Sequence, residues 1–266
     1  MSQDTNYIPH WHRAWLYILL ALLLAFLAAP IFVVIPVSFS NTSTLQFPPE
    51  SLSLQWYVRL FSSARWQSSA YNSMLAALLT VCCTIPLGIM AAYGLNSIRT
   101  GLGKFISATL MLPLIVPLIL VAIGIYFLYA RLGLINTMVG LVAAHTMYTL
   151  PLAITMIAAG LRRFDRNQEM VARSLGANRL KAFMTVTLPQ IKFSVMSAGF
   201  LTFIASFDEV VIALFISGGS NATLPRQMFN QLRNSIDPTI AAISTLLIAL
   251  ALIVFAAMQF LKSNEA

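Results

Sequence analysis

Two adjacent carboxylates, Asp208 and Glu209, stand inside the apolar run Ser206-Phe-Asp-Glu-Val-Val-Ile212. An ionised side chain at the centre of a bilayer costs at least about 2.5–3.5 kcal/mol on insertion scales, so acids placed there must face a partner or an aqueous cavity. Such a pair can attract or gate a cation on its way across a membrane. It can equally be absorbed by structural pairing within a helix bundle, or by contact with a second chain. On a continuous helix adjacent residues point about 100° apart. One acid is therefore expected to look into a pathway while the other packs against a neighbouring helix or a positive group, and His145 is a candidate for that group. Taken alone, His145 reads as a core histidine. No Ser/His/Asp set or carboxylate pair has a catalytic spacing, so no catalytic residue is assigned and enzyme chemistry is not expected. Cys82 and Cys83 are adjacent, with no His or Cys at metal spacing. They read as small buried apolar residues, with no disulfide and no metal site assigned.

The second chemically loaded stretch is Arg162–Lys192. It holds seven of the sixteen Lys and Arg residues and two of the eight acids, Asp165 and Glu169. A charged segment between two apolar runs is where a membrane protein can meet a soluble partner. Asp165 to Leu175 is rich in helix formers, with Glu169 and Arg173 at i and i+4 in the favourable order for an ion pair. Gly176 fits the position just past a helix end, where a left-handed backbone is cheap. A second short helix, about Arg179–Thr187, is predicted to stop before Pro189, because the residue preceding proline resists helical torsions. Two short helices around a glycine corner make a shaped protrusion, more than a loop that merely orients the chain requires.

The elements that must carry these groups are membrane helices. The chain has 266 residues, of which 59% are hydrophobic and 9% charged, and its mean hydropathy is +0.82. Soluble chains are about 25% charged, and a bilayer core of about 30 Å takes about 20 apolar residues per helix. The reading is an all-α polytopic bundle in a single domain over 1–266. Its six spans lie at about 15–38, 71–93, 105–129, 135–161, 193–216 and 239–261, and the loop 162–192 joins spans four and five. The first apolar run, about 24 residues, is too long for a signal-peptide core and is read as a retained span. Pro30, Pro36, Pro86, Pro113, Pro117 and Pro151 lie within spans, where the carbonyls they free must be satisfied by neighbouring helices. A short amphipathic helix is expected at about 53–62, with Trp56, Tyr57 and Trp66 as anchors at headgroup depth. No internal repeat is visible.

The net charge of +8 is unevenly placed. Arg13, Arg99, Lys104, Arg162, Arg163, Arg166, Arg173, Arg179, Lys181, Lys192 and Lys262 fall on one face; Arg59, Arg65, Arg131, Arg226 and Arg233 fall on the other. Eleven against five places both termini and the charged loop in the cytoplasm. Such an excess orients a membrane chain and does not imply nucleic acid.

The loop also carries a resemblance. Glu-Ala-Ala, three residues, Gly, nine residues, Ile, one residue and Leu-Pro marks the permease subunits of bacterial binding-protein-dependent ABC importers. This chain is similar to it at Val171, Ala172, Gly176, Val186, Leu188 and Pro189, and departs from it at Met170, which takes the place of the Glu, with Glu169 beside it. The stretches Phe207-Asp-Glu-Val-Val-Ile-Ala-Leu-Phe-Ile-Ser-Gly-Gly219 and Thr223-Leu-Pro-Arg-Gln-Met-Phe229, with Asp237-Pro238, resemble the spermidine/putrescine class, second permease subunit. There the acids are usually Asp-Asp.

The resemblance implies a coupling helix around Glu169–Arg173 and Gly176 that seats in an ATPase subunit. It also implies a second permease subunit, two ATPase subunits and a periplasmic substrate-binding protein as partners in the bacterial inner membrane. This chain has no phosphate-cradling Gly-x-x-x-x-Gly-Lys motif, so ATP and Mg would be used by the partner and no cofactor bound here. The expected solute is a small cation, most simply a polyamine, which carboxylates and aromatic faces (Trp56, Tyr57, Trp66, Tyr129) suit through charge and cation–π attraction. Permeases for opines, iron or aminoethylphosphonate look alike in these stretches. An ATP-independent channel or ion-coupled transporter using Asp208 and Glu209 is the alternative from another class.

Overall fold

The computed structural model describes residues 14–98, 100–234 and 237–263, without the side chains of Ala14, Ser97 and 254–263. Of the cations counted above, Arg13, Arg99 and the side chain of Lys262 lie outside the described residues, as do the first thirteen and last three positions. Two compact units are present, residues 1–63 with 231–266, and residues 64–230.

The first unit is built from α1 (Ala14–Ser38), α2 (Gln55–Ser62) and α13 (Thr239–Ser263). The apolar α1 runs along α13, and α13 packs on α2. The amphipathic helix expected near 53–62 is α2. Its Trp56 is buried against protein and donates its indole N–H to the Ser40 carbonyl at 2.7 Å, while Tyr57 bonds Ser38 Oγ at 2.8 Å. The headgroup-anchor expectation for Trp56 is thus corrected: a polar nitrogen on a large apolar ring is best satisfied by a fixed backbone acceptor. Asp237 Oδ1 accepts from the amide and hydroxyl of Thr239 and opens α13, and Arg59 pairs with Oδ2 at 3.6 Å.

The second unit contains α3 (Ala64–Ser97), α4 (Gly101–Ile115), α5 (Leu118–Leu132), α6 (Met138–Arg163), α7 (Arg166–Ser174), α8 (Arg179–Ala182), α9 (Leu188–Gln190), α10 (Lys192–Phe207) and α11 (Val211–Ile216). A π-helical turn, Phe183–Thr187, joins α8 to α9, and α12 (Leu224–Asn234) runs on into residues assigned to the first unit. Its frame is the mutual packing of α3, α6 and α10. On α3 the buried positions Ser73, the adjacent Ala76 and Ala77, then Thr80, Thr84, Gly88 and Ala92 follow one another at helical spacing, so that one stripe meets the bundle. That periodicity turns Cys82 and Cys83 outward. Both are free and exposed, not the buried pair expected. Trp66, read as an anchor in a connection, is buried within α3, which starts at Ala64.

Small residues let these helices approach. A methyl built on Gly160 of α6 would lie 2.5 Å from Ser194 Oγ and 2.6 Å from its Cβ on α10. Gly160→Leu should therefore force α6 and α10 apart, at about 1–3 kcal/mol for overpacking. It should lower the thermal unfolding midpoint of the detergent-purified protein, and an unchanged midpoint would refute this close contact.

Trp15–Ser38, Ala64–Asn96 and Met138–Arg163 are each long and apolar enough to cross a bilayer. The third and fifth predicted spans are not continuous. α4 and α5 meet at 101°, and the fifth is interrupted between Phe207 and Val211; ahead of it, the Arg179–Gln190 stretch meets α10 at 76°. The first break follows from Pro117: the residue before it, Val116, is extended at φ −75°, ψ 135°, as a pre-proline residue prefers. In α13 the described apolar stretch is Thr239–Ile253.

Candidate functional site

α10 ends at Phe207 and α11 begins at Val211, so Asp208 and Glu209 occupy a break, not the turn of one helix. The expectation of a continuous helix across them is corrected, and the physical reason is the carboxylate itself. Glu209 Oε1 accepts from the amide of Ile212 at 2.7 Å and Oε2 from that of Ala213 at 3.0 Å. The first N–H groups of a helix lack internal partners and carry partial positive charge, so an acid folded onto them is stabilised. Glu209 is only 5% exposed. Its Oε2 lies 3.5 Å from Nε2 of the fully buried His145, the partner considered from sequence. His145 Nδ1 is 2.8 Å from Ser206 Oγ, which reaches Thr80 Oγ1 at 3.3 Å. One polar network thus joins α3, α6, the end of α10 and the start of α11. Asp208, one residue earlier, is exposed. The two acids have separate environments because the backbone turns between them.

The charged loop has the two predicted short helices, with different internal bonding. Asp165 caps α7 by accepting from the Asn167 amide at 3.0 Å, and Asn178 caps α8 by accepting from Lys181 at 2.8 Å. Between them Gly176 takes the left-handed φ of +93°. The Gly176 amide donates to Arg173 and the Ala177 amide to Ala172, at 3.0 and 3.1 Å, the paired bonds of a Schellman ending. The second helix does not stop before Pro189. The wider π turn Phe183–Thr187 leads into α9, Leu188 is helical at φ −60°, ψ −44°, and the chain bends only at Ile191. A proline ring clashes with the carbonyl four residues back in a regular α-helix, and a π turn, with its i to i+5 bonding, displaces that carbonyl.

Glu169 makes no ion pair with Arg173 among the described residues, contrary to the spacing. It is 9% exposed and accepts from Tyr93 Oη on α3 at 2.5 Å and from Thr187 Oγ1 at 2.9 Å. Arg173 and Gly176 are exposed, Ala172 and Leu188 half-buried, and Pro189 exposed. Met170, Val171, Leu175 and Leu180 put apolar side chains on the surface of the loop, Leu175 at 84% exposure. Tyr93 and Thr187 have no signal in sequence spacing, since they lie 76 and 18 positions from Glu169.

Residues 84–264 match the family described as the binding-protein-dependent transport system inner membrane component. The chain is 29% identical to the putrescine transport system permease protein PotI of Escherichia coli strain K12, over 98% of this chain and 95% of that one. It is 26% identical to the spermidine/putrescine transport system permease protein PotC of the same strain, over 91% of each. For the PotC protein of Haemophilus influenzae the figures are 28%, 91% and 94%. Among solved structures, a bacterial ABC transporter involved in the import of the acidic polysaccharide alginate superposes with a TM-score of 0.75 at 17% identity, over 96% of this chain and 99% of that one. An amino acid ABC transporter with histidines gives 0.55 at 22%, over 76% and 93%. The fold is shared with both, and the family match runs across more than half of the sequence. The chain belongs to the family of inner membrane components of binding-protein-dependent transport systems, and it is a permease subunit of an ABC importer.

Proposed function

We propose that this permease moves a polyamine, spermidine or putrescine, across the bacterial inner membrane, with six spans and both termini in the cytoplasm. One observation carries the polyamine reading: the similarity to permeases named for putrescine and spermidine extends over nearly the whole chain. The fold alone would not support it, because the alginate importer shares the architecture and carries an acidic solute. An exposed carboxylate at the α10–α11 break, Asp208, suits a cation, whereas Glu209 is committed to α11 and His145. In this reading a binding protein delivers the solute outside, and two ATPase subunits bind ATP and Mg inside. Their closure moves the loop around Ala172–Gly176, and solute passes between this permease and a second one.

Purification from native membranes in mild detergent, with identification of the accompanying chains, tests the assembly. A second permease and an ATPase are expected. A chain that purifies alone and passes cations down their gradient would instead make it a channel or an ion-coupled transporter. If Asp208 meets the cation, Asp208→Asn should raise the KM for spermidine uptake about tenfold, the scale of one charge-assisted contact, with the complex intact. An unchanged KM would remove Asp208 from the pathway.

A further inference from the structure

The acid of the docking loop turns inward, and what it holds is α3. We propose that Glu169, Tyr93 and Thr187 form an internal brace that ties the docking loop to α3 and makes α3 the rod linking that loop to the helix break at Asp208–Val210. This rests on the reading that the loop docks on an ATPase.

Three observations converge on it. First, both oxygens of Glu169 are used, one by Tyr93 from α3 and one by Thr187 from the π turn. A buried carboxylate committed to two internal donors is poorly placed to reach into a partner, while the exposed Met170, Val171 and Leu175 are free to do so. Second, Tyr93 is itself held. Its ring meets Phe183 edge-on at 4.9 Å, and the Arg179 guanidinium lies 5.0 Å above it. Three parts of the loop, α7, α8 and the π turn, thus converge on one side chain of α3. The Arg166 guanidinium adds a bond to the Asn96 carbonyl near the end of the same helix. Third, α3 reaches the other site. Thr80, thirteen residues before Tyr93 and so about 20 Å along the helix at 1.5 Å per residue, meets Ser206 in the network that holds His145 and Glu209. A displacement of α7 is delivered through the brace to α3, and through α3 to the break that presents Asp208.

Coupling between these positions is measured as an interaction between their variants. The experiment uses the complete transporter in proteoliposomes, with ATP hydrolysed per spermidine imported as the readout. Tyr93→Phe keeps the ring and its packing and removes only the hydroxyl, and Glu169→Gln keeps the size. Each is expected to leave the ATPase bound and to raise the ATP-to-solute ratio, Tyr93→Phe about tenfold, as for loss of a hydrogen bond to a charged group, and Glu169→Gln by less, because its amide oxygen can still accept from Tyr93. The double variant should be no worse than Tyr93→Phe alone, since both substitutions act on the same hydrogen bond. If Tyr93→Phe couples like the wild type, or the two effects multiply, the brace is wrong. It is equally wrong if Glu169→Gln alone sheds the ATPase, which would make Glu169 a direct docking contact. Absence of ATP-driven uptake in the wild-type complex would instead overturn the functional reading, before any variant is compared.

Discussion

Glu209→Leu is expected to destabilise the chain by several kcal/mol, at about 1–3 kcal/mol for each buried donor left without its acceptor. The substitution leaves the amides of Ile212 and Ala213 without their acceptor and His145 Nε2 facing a hydrocarbon side chain, all inside the bundle. Glu209→Gln should be milder, because an amide oxygen can still accept from an α11 amide. Thermal unfolding of the purified protein separates the two, with the Leu variant melting far below Gln and Gln below wild type. Pairing His145→Leu with Glu209→Leu should recover part of the loss, since apolar packing can replace a buried polar contact, while the uncapped amides of α11 keep the rest. Equal midpoints for Glu209→Leu and wild type would show that the carboxylate does not hold the break.

Gly176→Val is expected to abolish productive coupling without preventing membrane insertion. At φ +93° a branched side chain strains its own backbone, by roughly 1–2 kcal/mol for a left-handed L-residue. No atom lies within 4 Å of the Cβ that a substitution would add, so the effect is conformational and not a collision. Relief of that strain opens the corner, breaks the bonds from Gly176 to Arg173 and from Ala177 to Ala172, and re-aims α7 relative to α8. Solute uptake should fall by at least about tenfold for a shift of that size, with ATP hydrolysis continuing. Gly176→Asn should retain most activity, because Asn tolerates the left-handed region. A Val variant that transports normally would mean that the corner does not transmit motion.

Both effects arise where local sequence and tertiary structure meet, and they differ in how far the sequence showed them. The glycine corner was legible because helix endings are local: the helix-forming run from Asp165 to Leu175, then Gly176, specifies the turn with no knowledge of the rest. The α3, α6 and α10 frame was legible as apolar runs of bilayer length, with prolines marking where a run must bend. Pro117 does break its span, while Pro189 does not stop its helix, because a π turn can absorb the ring. The ion pair expected between Glu169 and Arg173 fails for a different reason. The i to i+4 spacing to Arg173 is a statement about an isolated helix, and a tyrosine on α3 offers a dry, fixed donor that solvent-exposed Arg173 does not. Asp208 and Glu209 were recognised as costly in apolar surroundings. That one acid would be absorbed beside His145 followed from that cost, but the break separating them depends on Glu209 folding forward onto α11, which hydrophobicity cannot reveal.

We propose that the chain works as the membrane part of an ATP-driven polyamine importer. Uptake of radiolabelled spermidine and putrescine by proteoliposomes holding this chain, its companion permease and the ATPase, with the binding protein outside and ATP inside, tests it most directly. Accumulation against the gradient that requires both ATP and the binding protein is the predicted result. Uptake without ATP would contradict the importer, and ATP-driven uptake of other solutes but of neither polyamine would contradict the substrate.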